Sequence, residues 1–110
     1  MGATPVEVSP SPVDMGTLRP GTSGIATMFA RNTTRDELVI ARVETSCPCI
    51  RFEVAATRLE PGAGTSMAVF YDPGDAPDYR GGLSVECIGR DVGGILLFRC
   101  SVRLEVAGPL

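Results

Sequence analysis

The residues with the widest chemical reach in this 110-residue chain are its four cysteines. Two of them, Cys47 and Cys49, flank one proline in the stretch Thr45-Ser46-Cys47-Pro48-Cys49-Ile50. A thiolate is both a nucleophile and a soft metal ligand. Residues i and i+2 of an extended chain point to one side, so both sulfurs can reach the same place. Pro48 fixes its own φ and biases Cys47 toward extended geometry. Three states are open to the pair. A disulfide between them closes a very small, strained ring and is comparatively oxidising. Two free thiols can capture a soft ion such as Cu(I), which accepts thiolate-rich, low-coordinate sites. The third state is a plain structural turn at a strand end. Arg51 is the nearest cation and is placed to lower a thiol pKa.

Cys87 and Cys100 read as small buried hydrophobes, because each falls on the apolar side of an alternating segment. The strand ending at Cys47 is expected to run antiparallel to Leu83–Cys87, which puts Cys87 at the opposite end of the domain. A hairpin centred near Val92 sets Cys100 beside Leu83. Cys87 and Cys100 are then offset by about four residues, beyond the ~7 Å Cα limit for a disulfide. In that register four thiolates cannot gather within ~2.3 Å of one ion.

Other chemistry is thinly supplied. Histidine is absent, which removes the commonest general base and the commonest metal ligand together. A cysteine nucleophile would lack its activating base, so the expectation is a protein that is not an enzyme and has no cofactor, Cu(I) at Cys47 and Cys49 being the alternative. Net charge is −3 and all 10 basic residues are arginines, scattered from Arg19 to Arg103. No basic face results, so a nucleic-acid partner is not expected. Asp72, Asp75 and Asp78 could offer oxygen ligands to calcium, but their spacing is not that of an EF-hand and Asp-Pro-Gly is ordinary turn composition. Asn32-Thr33-Thr34 matches a glycosylation sequon and reads better as turn chemistry. The longest apolar run, Gly93 to Phe98, falls far short of the ~20 residues of a membrane span. The chain opens without a signal-peptide pattern.

These residues must be positioned by strands. Proline and glycine punctuate short segments rich in Val, Ile and Leu that alternate with period two, and no long window has a helical period. Thr4–Val8 is a short strand broken by Ser9-Pro10-Ser11-Pro12, where an edge strand can switch sheets. Ser23–Arg31 turns Ala26, Met28 and Ala30 to one face and Ile25, Thr27 and Phe29 to the other. Leu38–Val43 reads as a central strand running into the Cys-Pro-Cys stretch, and Arg51–Val54 as a strand crossing to the other sheet. Thr65–Tyr71 and Leu83–Cys87 alternate likewise. In the last strand Leu96, Phe98, Cys100, Val102, Leu104 and Val106 share one face. The fold class expected is all-β, an immunoglobulin-like antiparallel β-sandwich of seven to eight strands. Residues 1–110 form one domain with a core from about 13 to 106. The outward apolar side chains Ile25, Phe29 and Phe70 are candidates for an interaction surface.

The order of motifs resembles that of bacterial immunoglobulin-like domains of unknown function carrying a Ser-Cys-Gly-Cys-Thr signature, similar in fold to Hydin-type, major-sperm-protein and PapD-like sandwiches. The likeness is carried by Val13–Gly21, by Met28-Phe29-Ala30-Arg31-Asn32-Thr33, by Leu38–Cys49, by Leu59-Glu60-Pro61-Gly62 and by Val69-Phe70-Tyr71-Asp72-Pro73. Pro48 stands where the family has glycine, and Ile50 where it has threonine. The resemblance implies an extracytoplasmic, often multidomain bacterial setting, and a module that binds protein partners or spaces other domains.

Overall fold

Alternation becomes strand pairing almost everywhere in a computed structural model, which describes residues 4–74 and 76–109. One sheet has the order β1 (Val6–Ser9), β3 (Gly24–Asn32), β8 (Gly64–Tyr71), β6 (Ile50–Val54). The other has the order β2 (Val13–Leu18), β10 (Leu96–Val106), β9 (Gly81–Arg90), β5 (Arg42–Thr45). Two-residue strands β4 (Leu38–Val39) and β7 (Arg58–Leu59) form a small third ladder. The inward residues of the two large sheets meet in one core. Met28, Met67 and Val69 come from the first, and Val85, Phe98, Val102 and Leu104 from the second. Fully burying one such side chain contributes roughly 1.5–3 kcal/mol, so this layer is the main source of stability. Val6 already belongs to the core, ahead of the expected start at residue 13.

The immunoglobulin-like sandwich expected from the sequence is therefore the fold, with three differences of detail. Eight strands make the two large sheets, and the β4–β7 ladder raises the total among the described residues to ten. One pairing is parallel, β2 with β10. It arises because Ser9-Pro10-Ser11-Pro12 carries the chain from the first sheet to the second, beside a C-terminal strand already running in the same direction. The segment Leu38–Val43 is not one central strand. Its backbone changes partners midway: Ile40 N donates to Thr57 O at 2.8 Å and Ala41 N to Arg90 O at 2.8 Å. The next strand, β5, is the edge of its sheet.

Asn32 settles the sequon as structure. It is 0% exposed, and its amide nitrogen donates to Asp36 O at 2.7 Å and Leu59 O at 3.0 Å. Its oxygen accepts from Thr34 N at 2.9 Å and Thr34 Oγ1 at 2.7 Å. Both amide hydrogens and the carbonyl oxygen are used internally, tying the end of β3 to β7. No helix of the described residues is long and apolar enough to cross a membrane.

The β9–β10 hairpin has a bulge between Leu96 and Phe98, after which Phe98 pairs with Gly89. Its loop is shaped by Asp91 Oδ1, which accepts from Gly93 N and Ile95 N, both at 2.9 Å. The Phe98 ring lies in the space where a Cβ on Gly89 would project. Gly89→Ala is expected to destabilise the domain by about 1–3 kcal/mol through overpacking. Asn32→Ala should cost about 1–3 kcal/mol, because buried carbonyls lose their donors. Both are read as a lower urea midpoint at unchanged slope; a neutral Gly89→Ala would mean the ring is free to move aside.

Candidate functional site

The Cys-Pro-Cys stretch lies where the chain leaves one sheet for the other. Strand β5 pairs with the C-terminal half of β9, from Arg42 opposite Arg90 to Thr45 opposite Cys87. Ser46 extends this contact, its N donating to Glu86 O at 3.0 Å and its Oγ accepting from Glu86 N at 3.1 Å. Cys47–Ile50 then forms a turn closed by Ile50 N to Cys47 O at 3.1 Å. Pro48 occupies the second position, where its fixed φ suits the bend. Thr45 Oγ1 donates to Cys47 O at 2.7 Å, and Cys49 O accepts from Asp72 N at 2.8 Å. Ile50, opposite Tyr71, begins the edge of the first sheet. The two sulfurs are brought together by this turn rather than by the same-side geometry of a strand, and they are joined as a Cys47–Cys49 disulfide with Cα atoms 5.1 Å apart.

Both turn cysteines are half-buried. They form one wall of an open cleft of about 400 Å³, whose other wall is Asp72, Pro73, Gly74 and Ala76. The Asp72 carboxylate is occupied locally, with Oδ1 accepting from Gly74 N at 2.9 Å. Asp75 lies outside the described residues. Among the described residues no group of three or more His, Cys, Asp or Glu side chains is gathered to hold a metal ion.

The remaining cysteines are not where the sequence register put them. Cys87 and Cys100 are direct cross-strand partners rather than four residues apart, because the hairpin turns beyond Val92 and the bulge adds a residue to β10. Cys87 is also at the same end of the sandwich as the Cys-Pro-Cys turn, since short β5 pairs only with residues 87–90 of the long strand β9. Both are free thiols and both are buried, 1% and 5% exposed. Hydrogen bonding from the Cys100 thiol lowers the Cys87 pKa, while the neighbouring Cys87 sulfur and burial push Cys100 well above the usual thiol range. The two shifts describe one pair in which Cys87 is the stronger acid.

The outward apolar residues lie on the first sheet. Ile25 and Phe29 are 65% and 58% exposed. Ile25 is directly opposite Phe70, Thr27 opposite Ala68, and Phe29 opposite Ser66. Phe70 is only half-exposed, because the Arg51 guanidinium lies 4.4 Å above its ring centre. Two features were invisible in the sequence. A cleft of about 450 Å³ lies between β2, β9 and β10, lined by Asp14, Leu83, Arg103 and Glu105 among others. On β5, Glu44 accepts from Arg90 Nε and Arg42 Nε, each at 3.0 Å, and so separates two arginines that face each other across the strands.

Comparison with known proteins fits this geometry. The sequence profile of a family described as "Protein of unknown function (DUF1573)" matches residues 6–83. No curated protein matches the chain by sequence. A protein of unknown function from Porphyromonas gingivalis W83 superposes with a TM-score of 0.73 at 24% identity, over 91% of this chain and 46% of its own. The chain thus spans under half the length of that protein. WR4, a Caenorhabditis elegans MSP family member, gives a TM-score of 0.63 at 14% identity, covering 96% of this chain and 100% of its own. The ASH / PapD-like domain of human CEP192 gives 0.65 at 12% identity, covering 97% and 88%. At these identities the likeness is one of fold.

The arginine contacts hold the Glu44 carboxyl below the usual glutamate value, Arg90 contributing most and Arg42 next. A depressed folded-state pKa means that the contribution is present above the ordinary glutamate pKa and lost as pH falls through the lowered value. An NMR titration of the Glu44 side chain should therefore find its midpoint below 4.5, the ordinary value. A midpoint at or above that value would mean the two guanidinium contacts do not persist in solution.

Proposed function

Since the chain belongs to the DUF1573 family of proteins of unknown function, we propose that it is a non-catalytic protein-interaction or spacer module of a larger extracytoplasmic bacterial assembly. The observation that carries the reading is the apolar row on the outer face of the first sheet, where Ile25 and Phe29 stand more than half exposed beside Ala68 and Phe70. Its edges are charged, with Arg31 on β3 and Arg51 and Glu53 on β6, as in an interface with an apolar centre and a polar rim. The lack of histidine supports a non-catalytic role. The longer Porphyromonas gingivalis protein supports membership in a larger chain. The disulfide at the Cys-Pro-Cys turn supports an oxidising compartment, where such bonds persist. We read that turn as the counterpart of the Ser-Cys-Gly-Cys-Thr signature, a reading that supports kinship with the Hydin-like domains.

The face is tested by photocrosslinking in the native host. A benzophenone amino acid in place of Phe29 should give a discrete protein adduct, and the same residue in place of Arg99, on the outer face of the other sheet, should not. Ile25→Glu should abolish the adduct without lowering Tm. Adducts equal at both positions, or untouched by Ile25→Glu, would overturn the assignment.

A second reading is favoured by the joined sulfurs beside the open cleft: Cys47 and Cys49 act as a redox couple toward an external thiol or disulfide. Once reduced, the same two thiolates suit Cu(I). Cu(I) titration of the reduced domain against a competing chelator is expected to show stoichiometric uptake that Cys47→Ser/Cys49→Ser removes. Uptake unchanged in that variant would sink the metal proposal.

A further inference from the structure

The buried thiols have no assigned role, yet their placement is specific. Cys87 and Cys100 are in register on adjacent antiparallel strands and both face the core. Directly opposed residues in such a pair have Cα atoms ~4.5–5.5 Å apart, within the ~4.4–6.8 Å range of disulfides. Cys87 faces Thr45, and the chain stays bonded to Glu86 through Ser46 before it turns at Cys47. Cys47 directly follows that bonded Ser46, at the end of β5 that faces Cys87. Cys47 and Cys49 both pack against the core cluster that contains Cys87 and Cys100. Contact between the Cys47 and Cys87 sulfurs requires an inward movement of the turn, which is held by Thr45 Oγ1 to Cys47 O and Asp72 N to Cys49 O.

We propose that Cys87 and Cys100 form a second, buried dithiol–disulfide couple that exchanges electrons with the Cys47–Cys49 disulfide, so that the domain is a two-couple thiol relay. The proposal rests on the redox reading of the Cys-Pro-Cys turn. The Cys87 thiolate attacks Cys47 Sγ; the Cys87–Cys47 bond forms as the Cys47–Cys49 bond breaks, and Cys49 leaves as a thiolate. The Cys100 thiolate then attacks Cys87 Sγ, which closes Cys87–Cys100 and releases Cys47. Two electrons pass from the buried pair to the turn pair, and the two protons lost by Cys87 and Cys100 end on Cys47 and Cys49. No external oxidant enters. The reverse sequence reduces the buried pair. The polarity within that pair agrees: Cys87, nearer the turn, is the stronger acid and hence the attacking sulfur. The cleft beside the turn gives external dithiols or disulfides access to Cys47 and Cys49, while Cys87 and Cys100 meet them only through the turn.

The experiment tracks the disulfide within the intact chain. Protein holding only the Cys47–Cys49 bond is incubated anaerobically at mildly alkaline pH, quenched with acid, alkylated, cleaved after arginine and mapped by mass spectrometry. Cleavage after Arg42, Arg51, Arg90 and Arg99 leaves Cys47 and Cys49 on one peptide and Cys87 and Cys100 on two. The expected result is a growing population with those two peptides linked and Cys47 and Cys49 alkylated, at a rate unchanged by dilution. In Cys49→Ser exposed to oxidised glutathione, the adduct on Cys47 should be released as Cys87–Cys100 closes. If the Cys47–Cys49 linkage alone persists and the Cys49→Ser adduct is stable, the relay is wrong while the turn couple stands. If Cys47 and Cys49 never join under air, the turn couple fails and the relay with it.

Discussion

The β9–β10 hairpin is the constraint on which the second sheet depends. Strand β5 can pair only with β9 and strand β2 only with β10, so the register of this hairpin sets both outer strands. That register arises from small local features. The Asp91 carboxylate organises the loop, a bulge adds one residue before Phe98, and Gly89 leaves room for the Phe98 ring over the partner strand. A register one step away would bring a side chain against that ring and turn the inward residues of one strand outward. Phe98, Val102 and Leu104 could not then meet Met28, Met67 and Val69 across the core.

The same register arranges the cysteines. It sets Cys87 opposite Cys100, and it carries β5 so that Thr45 reaches Cys87 just before the chain crosses to the first sheet. The crossing joins the edge strand of one sheet to the edge strand of the other, and Cys47 and Cys49 occupy its turn. A position at a sheet corner leaves the turn open to a cleft on one side and in contact with the core on the other. Chemistry at this corner is thus coupled to the packing of the sandwich, whereas the apolar row of Ile25, Phe29 and Phe70 belongs to the outer face of the other sheet. The two candidate activities use different surfaces of the domain.

Local pattern made most strands legible. Alternation in Ser23–Arg31 and Phe98–Val106 assigned inward and outward residues correctly, because burial of one face is what selects a period of two, whereas at the bulge Leu97 rather than Leu96 enters the core. The switch of sheets at Ser9-Pro10-Ser11-Pro12 and the crossing before Arg51–Val54 were also readable, since proline and turn residues cannot sit within a central ladder. Leu38–Val43 misled for the opposite reason. It is apolar at every position but Arg42, and nothing local reveals that Ile40 bonds to Thr57 while Ala41 bonds to Arg90.

For the cysteines, the order of residues was enough to show that Cys87 and Cys100 face inward and that Cys47 and Cys49 are close enough to react together. Those facts depend on alternation and on a separation of two residues, both local. That all four lie in one region of the sandwich emerged from the packed fold alone. It depends on where a hairpin turns and on one bulged residue, and a shift of a single position there moves a cross-strand partner by a full step. Long-range register is the sum of such small local choices. It becomes visible only when the strands are packed against each other.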